Sequence, residues 1–497
     1  MINLLHQFQP IGGVDNTVNP SLNPLPGTIE SRIAPANFAA GTTNGLIDGP
    51  NPRTLSNVVS AQPADIVDPG GRSAWIYVFG QFVDHDLDLE AVGGADISIP
   101  IPPGDPNLAA TSISMTRAIT DPATGNVVNT IAGSLDLSQV YGSDAATAAS
   151  LRNADGTMKT SAGNALSIVN GAFVAGDVRV MENPELVAIT TMFVREHNYW
   201  VGVLNGQHPG WSGDQLYNMA KAITTAEYQN IIYTQYLPAL IGTNAVTAYN
   251  GFDPTVSTQV TQEFSTSAFR VGHTQISGQQ TGITNAGVQT FTETLAQSFF
   301  NTPAQDVSNG ISALLRNLSN DDSQAVDVYA INDLRNLLSA SPAQMDLIAI
   351  DVQRERDLGI GTLNETRIAL GLTPYTSFDQ LTSDPIVAAN LQSQFGSIDN
   401  VDLFLGGLAE NHAPGAEVGE TFQAIIADQF TRLRNGDQFF WQNEGFNQQT
   451  SQMISQTTLA AIISRTTNTP ALQSDVFFTQ QRHLSNVRQR TRPHRNS

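Results

Sequence analysis

The segment GQFVDHDLDLE, residues 80–90, places three aspartates around one histidine immediately after a run of apolar residues. If this segment is helical, Gln81 and His85 lie one turn apart on the same face, with Asp84 beside them. Asp86 then points about 100° away from His85 around the helix axis. The segment therefore predicts a helix with a histidine-bearing face and a separate acidic face.

Two simple metal motifs do not fit this segment. An EF-hand that starts at Asp84 needs glycine at its sixth position and glutamate at its twelfth, where Leu89 and Ala95 stand. The segment also lacks the pair of histidines, four residues apart, that forms helical zinc sites. From these residues alone, His85 fits either a hydrogen-bonded structural histidine or a histidine of a functional site.

The composition excludes several classes of function. The chain has 497 residues, 40% of them hydrophobic, which suffices for a large buried core. Its net charge of −22 disfavours binding to nucleic acid and to anionic membranes. The chain contains no cysteine, so disulfides, thiolate metal sites, Fe–S clusters and cysteine nucleophiles are excluded. Any metal must therefore bind to histidine and oxygen ligands.

The composition also divides the chain into three parts. Residues 1–70 are rich in Pro, Gly, Asn and Ala and are predicted to form an extended N-terminal arm, with regular structure beginning near Ser73. Residues 71–470 show no evident repeat or linker and are predicted to form one large domain. Residues 471–497 form a C-terminal segment that ends in a basic tail, residues 482–497, with five arginines and no acid. This tail is expected to be solvated, or else to contact an anion or another subunit.

Helical patterns dominate the central domain. Predicted helices begin at Pro184, with proline in the first turn, and after Ser212, which is a typical N-terminal cap. One alternating run with an Asn-Gly turn, LSIVNGAFVAG at residues 166–176, predicts a β-hairpin. The predicted fold is mainly α, with very little β structure. No apolar run is long enough to predict a transmembrane helix, and the first residues lack the pattern of a secretory signal peptide.

Seven short segments are informative when they are taken together. They are GQFVDHDLDLE (80–90), SLDLSQVYGSD (134–144), AGDVRVMENPEL (175–186), REHN (195–198), AFRVGHTQI (268–276), DLIAIDVQRERDLG (346–359) and RLRNGDQFFW (432–441). In order and approximate spacing they resemble the animal-type haem peroxidases of the peroxidase-cyclooxygenase superfamily, and among them the bacterial members. The resemblance covers residues 55 to about 445, and it implies a single large helical haem-peroxidase domain.

The resemblance implies the catalytic residues on the distal side of the haem. His85 would be the base that takes a proton from H2O2 and returns it to the leaving oxygen, which suits an imidazole that titrates near neutrality. Arg179 would supply a fixed positive charge during cleavage of the O–O bond. Gln81 would hydrogen-bond a water molecule or a halide. Glu196 and His197, in the REHN segment, are expected to be structural.

On the proximal side, the resemblance implies that His273 is the ligand of the haem iron. Its second ring nitrogen would be held by Asp351, where the family usually has asparagine, and this difference bears on the redox properties of the iron. Arg354 and Arg270 would pair with the haem propionates. The family motif RDHG reads RDLG here, with Leu358 in place of the histidine.

Asp84 and Glu182 stand at the two carboxylate positions that form esters with haem methyl groups in this family, so haem b is expected to be ester-linked. A buried carboxylate needs such a bond or a strong partner because a free buried charge is costly. A methionine adds a sulfonium link in strongly chlorinating members, and this chain has Asn183 at that position. Chloride oxidation is therefore expected to be weaker than oxidation of bromide, iodide or thiocyanate.

The resemblance also implies a Ca2+ site that joins Asp86 to the loop at residues 132–138. In an extended loop, alternate residues face one side and can surround a hard cation with carboxylate, hydroxyl and carbonyl oxygens. The loop residues that face the cation would be Ala132, Ser134, Asp136 and Ser138. Position 132 is usually threonine, so one side-chain oxygen is lost and the affinity stays open. The alternative is an ordinary turn of Asp and Ser residues.

Three classes of function fit the fold that the resemblance implies: a peroxidase that reduces H2O2 and oxidises small anions or aromatic donors, a fatty-acid dioxygenase, and an inactive adhesion protein. The dioxygenases carry a radical-forming tyrosine three residues before the proximal histidine, where this chain has Arg270. An inactive relative would be expected to lose His85, Arg179 or His273, and all three are present. The expected function is a haem peroxidase, extracellular by family analogy. Its oligomeric state and physiological electron donor stay open.

Overall fold

The computed structural model describes residues 8–42, 44–62, 64–299, 302–337, 344–470 and 472–479. The basic tail predicted at residues 482–497 lies outside this part of the chain. The described chain is built mainly from α-helices, which confirms the predicted fold class. None of its helices has both the length and the apolar character needed to cross a membrane.

The α-helices of the described residues surround one main hydrophobic core, to which helices from most of the chain contribute. In the first half of the chain they are α1 Pro52–Val59, α2 Trp75–Leu87, α3 Ser138–Tyr141, α4 Ala145–Leu151, α5 Pro184–Gln207, α6 Gly213–Ile231 and α7 Leu237–Ile241. In the second half they are α8 Gln262–Thr266, α9 Gly272–Gln275, α10 Leu295–Ser298, α11 Pro303–Asn309, α12 Ile311–Asn317, α13 Asn332–Arg335, α14 Leu347–Asp357, α15 Leu363–Ala369, α16 Phe378–Leu381, α17 Pro385–Phe395, α18 Leu403–Ala409, α19 Glu420–Asn435, α20 Gln448–Gln456 and α21 Leu459–Thr467.

The β structure of the described residues consists of two-stranded antiparallel sheets that pair β1 with β4, β2 with β3, β5 with β6, and β7 with β8. The strands are β1 Val92–Asp96, β2 Ile99–Pro100, β3 Ser112–Ile113, β4 Thr116–Ala118, β5 Ser167–Val169, β6 Ala172–Val174, β7 Gln279–Ile283 and β8 Gln289–Thr294. The hairpin predicted at residues 166–176 is confirmed as β5 and β6. Its turn places Asn170 and Gly171 at positive φ, the conformation that an Asn-Gly hairpin turn requires.

Helix α2, which carries the DHDLD sequence, is buried in the main core. Its side chains are apolar on almost every face, so Trp75 and Phe82 are fully buried, and Phe82 stacks on Phe193 of α5 with 4.9 Å between ring centroids. The helix ends after Leu87 because Asp88 adopts an extended conformation. It packs against α5 and α9. This packing on several sides holds the polar side chains of the helix in defined directions.

The two helix starts predicted from capping signals are confirmed. The Asn183 side chain accepts a hydrogen bond from the Leu186 amide at the start of α5. At the start of α6, Ser212 and Gln215 form a reciprocal capping box. α6 then continues through one π-helical turn, Ile232–Tyr236, into α7. The long α5–α6 pair supports α2 from one side.

Regular structure begins earlier than the sequence suggested. The expectation that it starts near Ser73 was wrong, because α1 lies within the predicted extended arm. The Asn51 side chain accepts a hydrogen bond from the Thr54 amide, and a proline occupies the first turn, so both usual start signals are present. The guanidinium group of Arg53 is fully buried. The short helix is stabilised by tertiary contacts that a proline-rich composition does not reveal.

Candidate active site

The histidine-bearing face of α2 meets the segment that precedes α5. His85 Nε2 lies 3.6 Å from Glu182 Oε2, and Gln81 Nε2 donates a hydrogen bond of 3.2 Å to the same oxygen. The Asn183 amide donates to Gln81 Oε1 at 2.9 Å. The structure thus brings together three of the residues that the sequence predicted for one site, namely Gln81, His85 and Glu182.

His85 is held in its neutral form. Its side chain is buried, and burial, together with the positive charge of Arg179, lowers the pKa of the imidazole well below its usual value of 6.5. A neutral imidazole has a free lone pair at neutral pH. His85 can therefore accept a proton from a bound molecule without first losing one.

Arg179 is oriented by a residue that the sequence analysis missed. The Asp177 carboxylate accepts hydrogen bonds from Arg179 Nε at 3.0 Å and from Nη2 at 2.8 Å, and the Asp88 carbonyl accepts a further bond from Nη2 at 2.8 Å. Asp177 Oδ1 also lies 4.0 Å from His85 Nδ1. The Asp-x-Arg spacing in GDVR was the available signal, since a bidentate pair of this kind fixes the plane of the guanidinium group.

Asp84 and Glu182 are two carboxyl groups whose pKa values are raised. Burial raises the pKa of Asp84, and the positive charges of Arg270 and Arg179 offset part of this increase. The positive form of His273 acts on Asp84 in the same direction, so Asp84 lies within electrostatic reach of residues from both sides of the predicted site. Burial also raises the pKa of Glu182, although 40% of its side chain is exposed.

His273 lies on α9, which packs against α2. Its Nδ1 donates a hydrogen bond of 2.7 Å to Asp351 Oδ2, and the Asp351 side chain on α14 is fully buried. The other ring nitrogen of His273, Nε2, makes no hydrogen bond within the described residues, and 24% of the side chain is exposed. A histidine fixed through Nδ1 with Nε2 free is the arrangement that a metal-ligating imidazole requires.

Arg270 and Arg354 converge on Glu90, a second residue that the sequence analysis did not identify. Arg270 Nη2 lies 3.9 Å and Arg354 Nε lies 3.4 Å from the Glu90 carboxylate. Arg354 also pairs with Asp357 at 2.5 Å. No local pattern marks Glu90, because its partners are about 180 and 260 residues away in sequence. Pairing of the two arginines with haem propionates stays a prediction.

The acidic face of α2 contacts the loop at residues 132–138. Asp86 accepts hydrogen bonds from the Leu137 amide at 3.1 Å and from the Ser138 amide at 2.6 Å, and the Ser138 hydroxyl donates to it at 2.9 Å. The Ser138 amide also donates to Asp136 at 3.0 Å. Burial and the neighbouring Asp136 raise the pKa of Asp86 well above its usual range. The two acids predicted as cation ligands are therefore buried side by side.

Ser134 and Ala132, two further predicted ligands of the loop, differ in the oxygen atoms that they offer to a cation. The Ser134 hydroxyl is buried and has no hydrogen-bond partner within the described residues, whereas Ala132 offers only its backbone oxygen. Among the residues that the structure describes, no three carboxylate or imidazole groups form a metal-binding cluster. The donor set is thus two carboxylates with hydroxyl and carbonyl oxygens, which suits a hard cation such as Ca2+.

Glu196 and His197 have structural contacts. The Tyr141 hydroxyl donates to His197 Nδ1 at 3.0 Å, while His197 Nε2 lies 3.0 Å from the Gly156 carbonyl oxygen. Glu196 pairs with Arg465 at 2.5 Å. Both side chains are fully buried, so these partners satisfy polar groups of the core.

Comparison with known proteins identifies the family of this chain. The family model for animal haem peroxidases matches residues 11–477. The chain belongs to the animal haem peroxidase family. It is 30% identical to peroxinectin A of Dictyostelium discoideum over 92% of this chain and 94% of that protein. It is 28% identical to human eosinophil peroxidase over 86% of this chain and 68% of that protein. This animal-type haem peroxidase is therefore an oxidoreductase that uses H2O2, while its placement among bacterial members stays a prediction.

Solved structures give the same family fold. Peroxidase A of Dictyostelium discoideum superposes with a TM-score of 0.86 and 26% identity over 95% of this chain and 100% of that chain. A fatty acid alpha-dioxygenase of Oryza sativa superposes with a TM-score of 0.83 and 19% identity over 96% of this chain and 89% of that chain. The second likeness shows a shared fold alone, and function has to be argued from the site.

Proposed function

We propose that this haem peroxidase reduces H2O2 with His85 and Arg179 as its catalytic groups and oxidises halides, thiocyanate or small aromatic donors. One observation supports this proposal above the others. His85 is buried and is kept neutral by burial and by the charge of Arg179, and it lies on α2. This helix packs against α9, where His273 is fixed through Nδ1 and makes no hydrogen bond through Nε2 within the described residues. His85 can take a proton from peroxide at one oxygen and return it to the other. Arg179, fixed by Asp177, supplies positive charge where negative charge develops.

The residues of the site fit haem b. Nε2 of His273 would ligate the iron, and Arg270 and Arg354 would bind propionates. Bound haem would supply the iron centre at which peroxide is reduced. The carboxyl groups of Asp84 and Glu182 would form the ester links, which would remove two carboxylates whose pKa values are raised by burial.

A rate measurement tests the catalytic proposal. The haem-loaded protein should turn over H2O2, and His85→Gln should slow its reaction with peroxide by about 10²–10⁴-fold, the usual contribution of a general acid-base residue. His208→Gln is a matched control, because His208 stacks on Trp211 at the end of α5. A His85→Gln variant that binds haem and reacts at the wild-type rate would remove His85 from this role. A purified protein that takes up no haem would overturn the whole proposal.

The ester links have their own test. Haem should stay with the wild-type protein during extraction with acidified acetone, and the double variant Asp84→Val with Glu182→Gln should release it. Complete extraction from the wild type would mean that these carboxyl groups serve as hydrogen-bond partners instead.

The donor preference follows from Asn183. This residue caps α5 and donates a hydrogen bond to Gln81, so it stands beside the distal site without a sulfur atom. Bromide, iodide and thiocyanate should therefore be oxidised faster than chloride. Steady-state rates with each anion at equal concentration test this order, and equal rates with chloride and bromide would contradict it.

Ca2+ is the cation proposed at Asp86 and the loop, with Asp136, Ser138 and the backbone oxygens of Ala132 and Ser134. The buried pair Asp86–Asp136 supports this assignment, because two adjacent buried carboxylates favour a divalent ion.

Residues 71–470 would form the catalytic domain, residues 1–70 an N-terminal arm and residues 471–497 a C-terminal segment. The enzyme would act outside the cell, by analogy with the family, where small anionic or aromatic donors would reach it. Detection of the full chain in culture medium or in a cell fraction tests the location.

A further inference from the structure

The side chain of Asn183 has only one possible orientation at the start of α5. Its Oδ1 accepts a hydrogen bond of 2.8 Å from the Leu186 amide. A backbone amide can only donate, so a reversed Asn183 side chain would place two donors against each other. Asn183 is 8% exposed, and a hydrogen bond left unmade at a buried helix end is costly. The start of the helix therefore fixes which end of the Asn183 amide is the nitrogen.

The orientation of Asn183 in turn fixes the side-chain amide of Gln81 on α2. Asn183 Nδ2 donates a hydrogen bond of 2.9 Å to Gln81 Oε1, and a nitrogen of Gln81 at this position would face another donor. At its other end, Gln81 Nε2 donates a hydrogen bond of 3.2 Å to the Glu182 carboxylate, which is an acceptor. Both bonds require the same orientation of Gln81. The direction of donation is thus set by the backbone of α5 and carried through Asn183 to Gln81.

One N–H group of Gln81 stays available for a bound molecule. An amide nitrogen carries two hydrogens, and Gln81 Nε2 makes only the bond to Glu182 within the described residues. His85 Nε2 lies 3.6 Å from the same Glu182 oxygen, and His85 follows Gln81 by one turn of α2. The nitrogen of Gln81 therefore lies on the His85 side of the helix. A molecule bound there meets a hydrogen-bond donor.

We propose that Asn183 is a positioning residue, which keeps the nitrogen of Gln81 on the His85 side so that small anions bind there. An anion such as bromide only accepts hydrogen bonds, and a bond from an N–H group to a charged acceptor is strong. With the amide of Gln81 reversed, its oxygen would face the anion and repel it. This role rests on the proposed function, in which halides and thiocyanate are donors, and it adds the residue that decides which atom of Gln81 they meet.

Asn183→Asp separates this role from the capping of α5. A carboxylate at position 183 can still accept the hydrogen bond from the Leu186 amide, and aspartate caps helices about as well as asparagine. It has no N–H group to donate to Gln81 Oε1, so it favours the reversed amide, with Gln81 Nε2 toward position 183. Helix α5 should therefore be retained while the oxygen of Gln81 turns toward His85.

The affinity of the haem-loaded protein for bromide measures the effect. In a titration followed by the haem absorption spectrum, without H2O2, the Kd for bromide should be about tenfold higher in Asn183→Asp than in wild type, as for the loss of a hydrogen bond to a charged group. The same substitution in a Gln81→Leu background corrects for the added negative charge, because that protein has no amide to reverse. The rise in Kd should be smaller there. Asn183→Ser, a neutral cap too short to hold Gln81, should also raise the Kd.

The control is Asn447→Asp, because Asn447 caps α20 through the same type of bond, from the Thr450 amide. It should keep the Kd and the melting temperature of wild type. An unchanged Kd in Asn183→Asp and Asn183→Ser, an equal rise with and without Gln81, or no bromide binding to wild type would overturn the proposed role. Each of these results would leave haem uptake and the effect of His85→Gln, which test the proposed function, as they are.

Discussion

Asp351 is the predicted departure from the family pattern that has the most chemical content. Its side chain is buried, with Oδ2 2.7 Å from His273 Nδ1 and Oδ1 3.6 Å from Arg270 Nη1. A carboxylate accepts an N–H hydrogen bond more strongly than an amide, because it is charged. His273 therefore gains anionic character, and an iron atom bound to it would receive more electron density.

Asp351→Asn should raise the Fe(III)/Fe(II) potential of the haem-loaded protein, on the order of 60 mV for each tenfold change in the one-electron equilibrium. The rate of bromide oxidation relative to that of iodide should increase in the same variant. Spectroelectrochemical titration measures the potential. Asp402→Asn is the control, because Asp402 pairs with Arg356 on the same helix rather than with His273, Arg270 or Arg354. An unchanged potential in Asp351→Asn would mean that this carboxylate does not tune the iron.

Glu185, in the first turn of α5, makes stability depend on pH. Its side chain is 5% exposed, and burial together with the nearby Asp321 carboxylate raises its pKa to about 8. Since the unfolded value is near 4.5, the folded state holds the proton more tightly. The resulting stabilisation is complete below pH 4.5 and is lost as the pH rises through about 8.

Glu185→Gln should therefore gain stability relative to wild type as the pH rises from 5 to 8, by about 3 kcal/mol in the free energy of unfolding. Chemical denaturation of both proteins at the two pH values measures the difference. Asp214→Asn is the control, because Asp214 is a first-turn acid of α6 whose side chain is 80% exposed. If the free energies of unfolding of wild type and Glu185→Gln changed equally between pH 5 and pH 8, Glu185 would not be the source of the pH-dependent stability.

At the scale of elements, α2 connects two sites through adjacent residues. His85 points toward Glu182, whereas Asp86 accepts hydrogen bonds from the loop at residues 132–138. Because α2 is packed against α5 and α9, a movement of the helix that displaces Asp86 also displaces His85. A change at the loop that moves Asp86 should therefore change the position of His85.

Removal of Ca2+ with a chelator should lower both the melting temperature and the rate of reaction with H2O2. A ligand that binds only the folded state at 100 times its Kd stabilises by about 2.7 kcal/mol. Asp86→Asn should have a lower melting temperature that no longer responds to the chelator. Asp144→Asn, at the cap of α4 beyond the loop, should respond as wild type does. Unchanged melting and reactivity after prolonged chelation, with no calcium found by metal analysis, would contradict the site.

At the scale of the whole molecule, the N-terminal and C-terminal segments of the described chain are hydrogen-bonded to distant parts of the fold. The Ser31 amide donates to the Val260 carbonyl at 2.9 Å, and the Ser73 amide donates to the Phe477 carbonyl at 2.9 Å. Arg53 Nε pairs with Asp105 at 2.7 Å, and its Nη1 pairs with Asp346 at 2.6 Å. These contacts join segments that are separated by tens to hundreds of residues.

Arg53→Ala should lower the free energy of unfolding by about 3–5 kcal/mol, because it leaves Asp105 and Asp346 buried without their charged partner. Chemical denaturation measures the loss. Arg152→Ala is the control, since its partner Asp214 is 80% exposed and a pair of this kind contributes at most about 1 kcal/mol. Equal losses in the two variants would show that burial of the Arg53 pairs is not what stabilises the fold.

The sequence by itself determined the features that depend on neighbouring residues. The mainly α fold, the two capped helix starts and the Asn-Gly hairpin follow from hydrogen bonds within a few residues. The family followed from seven motifs in order. The resemblance to that family also implied His273 and Asp351 as partners, and the two side chains form a hydrogen bond of 2.7 Å.

Only the tertiary structure decided which distant groups meet. Glu90 between Arg270 and Arg354 has no local signal, and helix α1 has local start signals but is stabilised by contacts with distant segments. The physical reason is that burial removes water from these charges, so their partners are the charged groups that the fold packs beside them. Such packing is a property of the whole fold, and a short segment of sequence does not contain it.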